Sequence, residues 1–203
     1  ERRIALAVAD VLDPLPRPMV DAAESLLCSL GATTGKADGS QLTEVGAKLT
    51  QLPLHPRLSR LLLAGAESGI VDDAAVVSAM LSERDILQGS RAFTQDARRQ
   101  HGIASERSDL GHRLDRFRWA ASERFARTPL QRDGLDADTV QRVARARQQL
   151  VDRAKPFAKQ LRLSDADREK ALERAILLGF PDRVARRRKK ANAESVELIL
   201  AGG

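Results

Sequence analysis

Gly31-Ala-Thr-Thr-Gly35-Lys36 is the segment of this 203-residue sequence that comes nearest to a phosphate-binding loop. Such a loop needs four residues between its glycines, Ser or Thr after the Lys, and a strand before it, so that backbone N–H groups can cradle phosphates. Here three residues separate the glycines, Ala37 follows Lys36, and the preceding pattern is helical. The segment therefore reads as a turn or wing tip. No DExH or DExD sequence is present to hold magnesium and position a water, so no ATPase chemistry is expected of the chain itself. His101 and His112 are eleven positions apart, which does not put both on one helical face, and His55 stands between prolines. No metal ligands are expected, and no catalytic residues, because no Ser, His and acidic set carries a nucleophile-elbow signature. Cys28 lies beside Leu26 and Leu27 and reads as a buried packing residue.

Charge is the stronger lead. The 34 basic and 28 acidic residues give a net +6, and the excess is uneven. Residues 1–100 hold 11 basic against 13 acidic residues, and 101–203 hold 23 against 15. A basic half suits phosphate contact, although arginine is also common on solvated helix faces. With five Phe, one Trp and no Tyr, base-stacking platforms are scarce, so nucleic-acid contact is expected through arginine and the phosphate backbone. Arg57 and Arg60, three apart at a helix start, share one face and either line a polyanion channel or pair with acids. Arg186, Arg187, Arg188, Lys189 and Lys190 form a basic run that meets nucleic acid or remains a solvated tail.

The elements that would position these residues are helices. Ala, Leu, Arg, Glu and Gln are abundant and alternating β-branched runs are nearly absent, so the fold is expected to be mainly α. Asp13 to Pro18 is a rigid connector, because its prolines remove backbone donors. A helix follows from Met19 to Leu30 with Gly31 as its stop, then a turn-rich stretch, a short extended element at Gln41 to Thr43, and a helix capped by Thr43. Pro53 and Pro56 introduce a stripe of Leu58, Leu61, Leu62 and Ala66 ending at Gly69. Asp72 and Asp73 suit the start of the next helix, which closes near Ser82, and residues 83–103 read as a polar loop with one short helix. Further helices are expected over 108–125, broken by Thr128-Pro129, over 136–154, and from the N-cap Ser164 to Gly179. The tail from Val196 to Leu200 has strand character but lacks an evident partner. Ile4 to Ala9 is too short to span a bilayer and stands beside Arg2 and Arg3, and a single cysteine cannot form an internal disulfide, so a soluble chain in a reducing cytoplasm is expected.

Five ordered blocks carry a resemblance: Leu12-Asp13-Pro14, the Ala-rich helix ending Leu30-Gly31-Ala32, the turn-rich stretch after it, Leu42-Thr43-Glu44-Val45-Gly46, and Leu52-Pro53-Leu54-His55-Pro56-Arg57-Leu58 leading into a Leu-rich helix. Together they resemble the winged-helix and helicase-associated region of DEAH/RHA-type ATP-dependent helicases. Leu81-Ser82-Glu83-Arg84-Asp85 and the stretch from Phe180 to Arg188 resemble the bacterial HrpB-type branch in particular. The resemblance implies a winged-helix domain over 1–55, a helical ratchet domain over 56–127, and a C-terminal helical and basic segment over 128–203. It also implies that ATP and magnesium belong to two RecA-like motor domains upstream, which would be partners within one polypeptide, and that single-stranded nucleic acid runs between those parts. In that arrangement Arg57, Arg60, Ser82 and Arg84 line the strand's path, with Arg186, Arg187 and Arg188 as further phosphate contacts. The opposing possibility at one end of this set is that Ser82 merely terminates a helix while Arg84 pairs with Glu83 or Asp85. The function expected is strand guidance by an accessory portion of a helicase, without cofactors of its own. Two rivals are a stand-alone winged-helix nucleic-acid-binding protein and a protein-interaction adaptor.

Overall fold

The computed structural model describes residues 15–35, 40–87, 108–188 and 197–200. Within them the chain is mainly helical, in the order α1 (Arg17–Ser29), α2 (Glu44–Leu49), α3 (Pro56–Glu67), α4 (Val71–Ser82), α5 (Asp109–Ser122), α6 (Arg127–Arg132), α7 (Ala137–Ala154) and α8 (Asp165–Gly179). Two strands, β1 (Ala185–Arg188) and β2 (Glu197–Leu200), close the sequence of elements. The chain packs as two compact units, residues 1–64 with 161–203 and residues 65–160, and the division falls inside α3. Residues 56–64 pack with the first unit, and 128–160 pack with 65–127, with α7 lying on α4.

The first unit begins with α1, which starts at Arg17 and takes Pro18 into its first turn, where a missing N–H costs nothing. Its middle residues Leu26 to Cys28 are half-buried, so Cys28 is less enclosed than its apolar neighbours suggested. An isolated antiparallel bridge joins Thr33 to Leu42, flanked by Thr34 N–H donating to Gln41 O and Thr43 N–H to Ala32 O, each at 3.0 Å. The Leu-Thr-x-x-Gly block then has a physical reading. The Thr43 hydroxyl accepts from Gly46 N–H at 2.9 Å as the N-cap of α2, and a Cβ on Gly46 would stand 2.2 Å from the Ala32 carbonyl oxygen. Only glycine lets α2 press against that backbone.

Leu58, Leu61, Leu62, Leu63 and Ala64 are all buried, so α3 is enclosed on more faces than an amphipathic stripe requires. Ser164 caps α8 by accepting from Asp167 N–H at 3.2 Å, and at the other end Gly179 is buried against α3. The strand-like tail does find a partner, contrary to expectation. Ala185 to Arg188 pair antiparallel with Leu200 to Glu197, so the start of the basic run is a β-strand.

In the second unit α4 is the central helix: Asp73 to Met80 are buried without interruption. Leu114, Phe117 and Ala120 of α5 and Val140, Val143, Leu150 and Ala154 of α7 are buried with it. The helix expected over 108–125 ends at Ser122, because the chain takes a left-handed turn at Arg124 and Phe125. Thr128-Pro129 does not break a helix. It lies in the first turn of α6, where proline's fixed φ is tolerated. Asp136 caps α7 by accepting from Thr139 N–H at 2.7 Å, which holds its carboxyl below the usual range. The Leu12-Asp13-Pro14 block, residues 36–39 of the expected wing, residues 88–107 with His101, and Lys189 and Lys190 lie outside the described residues.

Candidate nucleic-acid interface

In the first unit the expected contact residues cluster at the start of α3. His55 caps this helix from outside: its Nδ1 accepts from Arg57 N–H at 3.3 Å. The Arg57 guanidinium then makes a two-pronged pair with Asp182, Nη1 to Oδ1 and Nη2 to Oδ2, the latter at 2.7 Å. Its Cζ also lies 5.6 Å from the Phe180 ring centroid, and Arg183 approaches the same ring at 5.6 Å. The hydrogen bond from Arg57 is the main reason the Asp182 carboxyl is lowered to about 2, and it raises Arg57 in turn. Of the two roles open to Arg57, the structure shows the ion pair.

This latch depends on a close approach. A Cβ on Gly179 would lie 2.8 Å from the Arg57 carbonyl oxygen and 3.1 Å from Leu61 Cβ. Residues 179–183 are thereby anchored on the first turn of α3, and β1, with Arg186, Arg187 and Arg188, begins two residues later at Ala185. In the hairpin these three stand opposite Ile199, Leu198 and Glu197. Arg60 is engaged as well, its Nε donating to the Leu30 carbonyl at the end of α1 at 3.1 Å.

Ser82 and Arg84 belong to the second unit. The Ser82 hydroxyl donates back to the Ser78 carbonyl at 2.9 Å, the bond of a helix-terminating serine. Neither acid beside Arg84 pairs with it. Glu83 accepts from Arg142 Nε at 3.3 Å, and Asp85 accepts from Arg113 Nε at 3.1 Å and Nη2 at 2.6 Å. Burial would push the Asp85 carboxyl up, but the bonds from Arg113 and the Leu87 N–H outweigh it and hold the group low. Asp136 N–H donates to Ile86 O at 2.8 Å, which fixes the segment further. Arg84 stands exposed between two committed acids, with no ion-pair or hydrogen-bond partner among the described residues. Beside it is a cleft of about 320 Å³ lined by Met80, Leu81, Ile86 and Leu110, with Glu83, Asp85 and Arg113 at its polar side.

Sequence reasoning missed how much arginine is spent inside this unit. Arg147 pairs with Asp72 and Arg118 with the buried Asp73, so the acids that suit the start of α4 by the helix dipole are also ion-pair partners. Arg116 pairs with Asp133 and Arg127 with Asp138. The i,i+3 pair Arg118 to Asp115 had a local spacing to betray it; the long-range pairs did not. Among the described residues no three His, Cys, Asp or Glu side chains converge as a metal site, and no helix is long and apolar enough to cross a membrane.

Comparison with known proteins bears on what such a scaffold is. The family described as the helicase-associated domain (HA2), ratchet-like, matches residues 55–199. The chain belongs to that family. The match begins at His55, the residue that caps α3, and takes in the helices and hairpin that follow. Curated relatives of this HA2 chain include the pre-mRNA-splicing factor ATP-dependent RNA helicase prp22 of Schizosaccharomyces pombe, 34% identical over 101 residues. That stretch covers 49% of this chain and 8% of the relative. The ATP-dependent RNA helicase HrpA of Escherichia coli is 40% identical over 62 residues, 30% of this chain and 5% of the relative. The DExH-box ATP-dependent RNA helicase DExH2 of Arabidopsis thaliana is 31% identical over 75 residues, 37% of this chain and 5% of the relative. The chain thus matches a small part of each, and the resemblance to DEAH-type helicases holds at the level of this helicase-associated region.

Proposed function

We propose that this chain is the accessory C-terminal portion of an ATP-dependent, HrpB-like helicase, in which it guides single-stranded nucleic acid and contacts RecA-like motor domains. The observation that carries the reading is the HA2 ratchet-like match over residues 55–199. Residues 15–54, with two helices around a Thr33–Leu42 bridge, serve as the winged helix of that assembly. RNA is the favoured strand, because the relatives named above are RNA helicases. The workplace is the cytoplasm.

The phosphate contacts are assigned by availability. Arg84 is exposed and free of its neighbouring acids, and the strand carrying Arg186, Arg187 and Arg188 follows directly on the segment latched to α3. Arg57 and Arg60 act as positioning residues that set the hairpin and α1, and Ser82 closes the helix two residues before Arg84. Attraction of this kind reads charge rather than sequence, and its strength falls steeply with salt. ATP and magnesium reside with the motor domains; in this chain Glu83 and Asp85 are already committed to Arg142 and Arg113.

The test is fluorescence anisotropy of labelled single-stranded RNA, single-stranded DNA and duplex with the 203-residue chain across about 50 to 200 mM salt, together with phosphate release from ATP. Salt-dependent binding that favours single strands, without ATP turnover, is expected. Preference for duplex would move the reading to a winged-helix DNA binder, and no salt-sensitive binding at all would move it to a protein adaptor.

A further inference from the structure

Three helices outside α5 end in the same glycine turn. After α1, α3 and α6 the chain passes through Gly31, Gly69 and Gly134 with φ of 72°, 78° and 73°. Each turn is closed by two bonds: Gly31 to Cys28 O and Ala32 to Leu27 O, Gly69 to Ala66 O and Ile70 to Gly65 O, Gly134 to Gln131 O and Leu135 to Leu130 O. This is the Schellman arrangement, and glycine suits its left-handed residue because a Cβ there crowds the backbone. Helix α5 ends with the same pair of bonds, Arg124 N–H to Ala121 O at 3.0 Å and Phe125 N–H to Ala120 O at 2.9 Å. There the left-handed residue is Arg124, φ 53°, and a second follows, Phe125, φ 57°.

Phe125 has a packing reason for its place: its ring centroid lies 5.6 Å from that of the buried Phe117. Arg124 has none among the described residues. Its side chain is exposed and holds no carboxylate or carbonyl, which it shares with the exposed Arg132, Arg145 and Arg153 of the same unit, but it alone among these four has a left-handed backbone. One internal explanation is open to test, namely that a cation favours the negative end of α5, whose last turn carries no other basic residue. The Phe125 ring accounts for the turn but not for arginine at its first left-handed position, where three other helix ends use glycine, and an exposed arginine kept there points to a role outside the protein.

We infer that Arg124 is a second phosphate-contact residue of this unit, gripping the backbone of single-stranded nucleic acid from the corner after α5. The inference rests on the proposed strand-guiding function. Arg113, which holds Asp85 next to Arg84, and the end of α5 just before Arg124 are separated by roughly 13 Å of helix rise, so Arg84 and Arg124 serve different phosphates.

The experiment uses the full 203-residue chain, a fluorescein-labelled uridine dodecamer and the variants R124G, R124K and, as a control for mere loss of charge, R153A at the exposed end of α7. R124G is expected to melt about 2–3 °C higher, as relief of left-handed strain requires. It is expected to bind about 3-fold more weakly at intermediate salt, with a log–log salt slope shallower by about 0.7. R124K, which keeps charge and strain, should stay close to the unmodified chain in both readouts, and R153A should bind nearly as well. If the unmodified chain binds in a salt-dependent way and R124G matches it in affinity and slope, the Arg124 assignment is overturned and the strand-guiding reading stands. If R124G melts lower, Arg124 is a structural cap and the assignment is likewise overturned. If the unmodified chain does not bind the dodecamer, both fall together.

Discussion

The first turn of α3 and the segment just beyond α4 both present arginine beside acidic chemistry, and they use it in opposite ways. At the first, Arg57 is bound through both Nη atoms to Asp182 and lies over Phe180, so its charge is consumed in holding residues 179–183 in place. At the second, the acids are the consumed partners: Glu83 is taken by Arg142 and Asp85 by Arg113, which leaves the Arg84 between them exposed. Residue type is the same in both places. What separates a latch from a contact residue is where the competing carboxylates are already spent, since a paired guanidinium has little attraction left for phosphate while an unpaired one keeps its full charge.

That contrast can be broken at several strengths. The largest effect is expected from Gly179→Val, which forces side-chain atoms against the Arg57 carbonyl and Leu61. A loss of about 3 kcal/mol, concentrated in the first unit, should appear in denaturant unfolding and in hydrogen exchange of α3 and α8. Wild-type protection there would mean that the latch is not built on this contact. Arg57→Ala should cost about 1 kcal/mol by removing a charge-assisted pair from a half-exposed site, with oligonucleotide affinity nearly unchanged. A drop in affinity as large as that of an Arg84 variant would erase the distinction between the two corners.

Arg84→Ala is the mirror experiment. Its melting curve should stay within about 0.5 kcal/mol of the unmodified chain, while affinity for single-stranded RNA falls about 3-fold and the salt slope becomes shallower. Unchanged binding at low salt would remove Arg84 from the interface.

Acid titration sharpens the same comparison. The Asp182 carboxyl is depressed from 3.8 to about 2 in the folded chain, chiefly by its hydrogen bond from Arg57. Its contribution to stability is therefore complete above 3.8 and disappears as pH falls through about 2. The stability difference between the unmodified chain and Asp182→Asn should narrow across that window, as read by paired melts at successive pH values. A difference that stays constant through it would show that the pair contributes nothing through charge. The smallest effect belongs to Ser82→Ala. Removing one hydroxyl bond to the Ser78 carbonyl should move stability by less than about 0.5 kcal/mol, and a larger loss would give Ser82 a structural weight the geometry does not show.

Much of the local structure was readable from the chain because its causes lie within a few residues of one another. Thr43, Ser108 and Ser164 cap helices through hydroxyls that reach a backbone N–H three positions on, and Gly31 and Gly69 stop helices through their own permitted φ. The long helix over 137–154 follows from its 3.6-residue apolar period. The turn after α5 was misread for the complementary reason. Arg124 and Phe125 are not residues that announce a left-handed conformation, and the ring contact with Phe117 that stabilises the turn is a matter of packing.

The helical class, the caps, the basic second half and, through ordered motif blocks, the helicase-associated family that residues 55–199 match are all written in the order of the residues. Which arginines are spoken for emerges from packing. Arg57 meets Asp182 across 125 positions, Arg147 meets Asp72 across 75 and Arg142 meets Glu83 across 59, and no local spacing encodes such meetings. Packing likewise supplied Glu197 to Leu200 with a strand partner, Ala185 and the first three residues of the basic run. Ion pairs and strand pairing are short-range in space but indifferent to distance along the chain, so they become visible only once folding has brought the partners within a few ångströms.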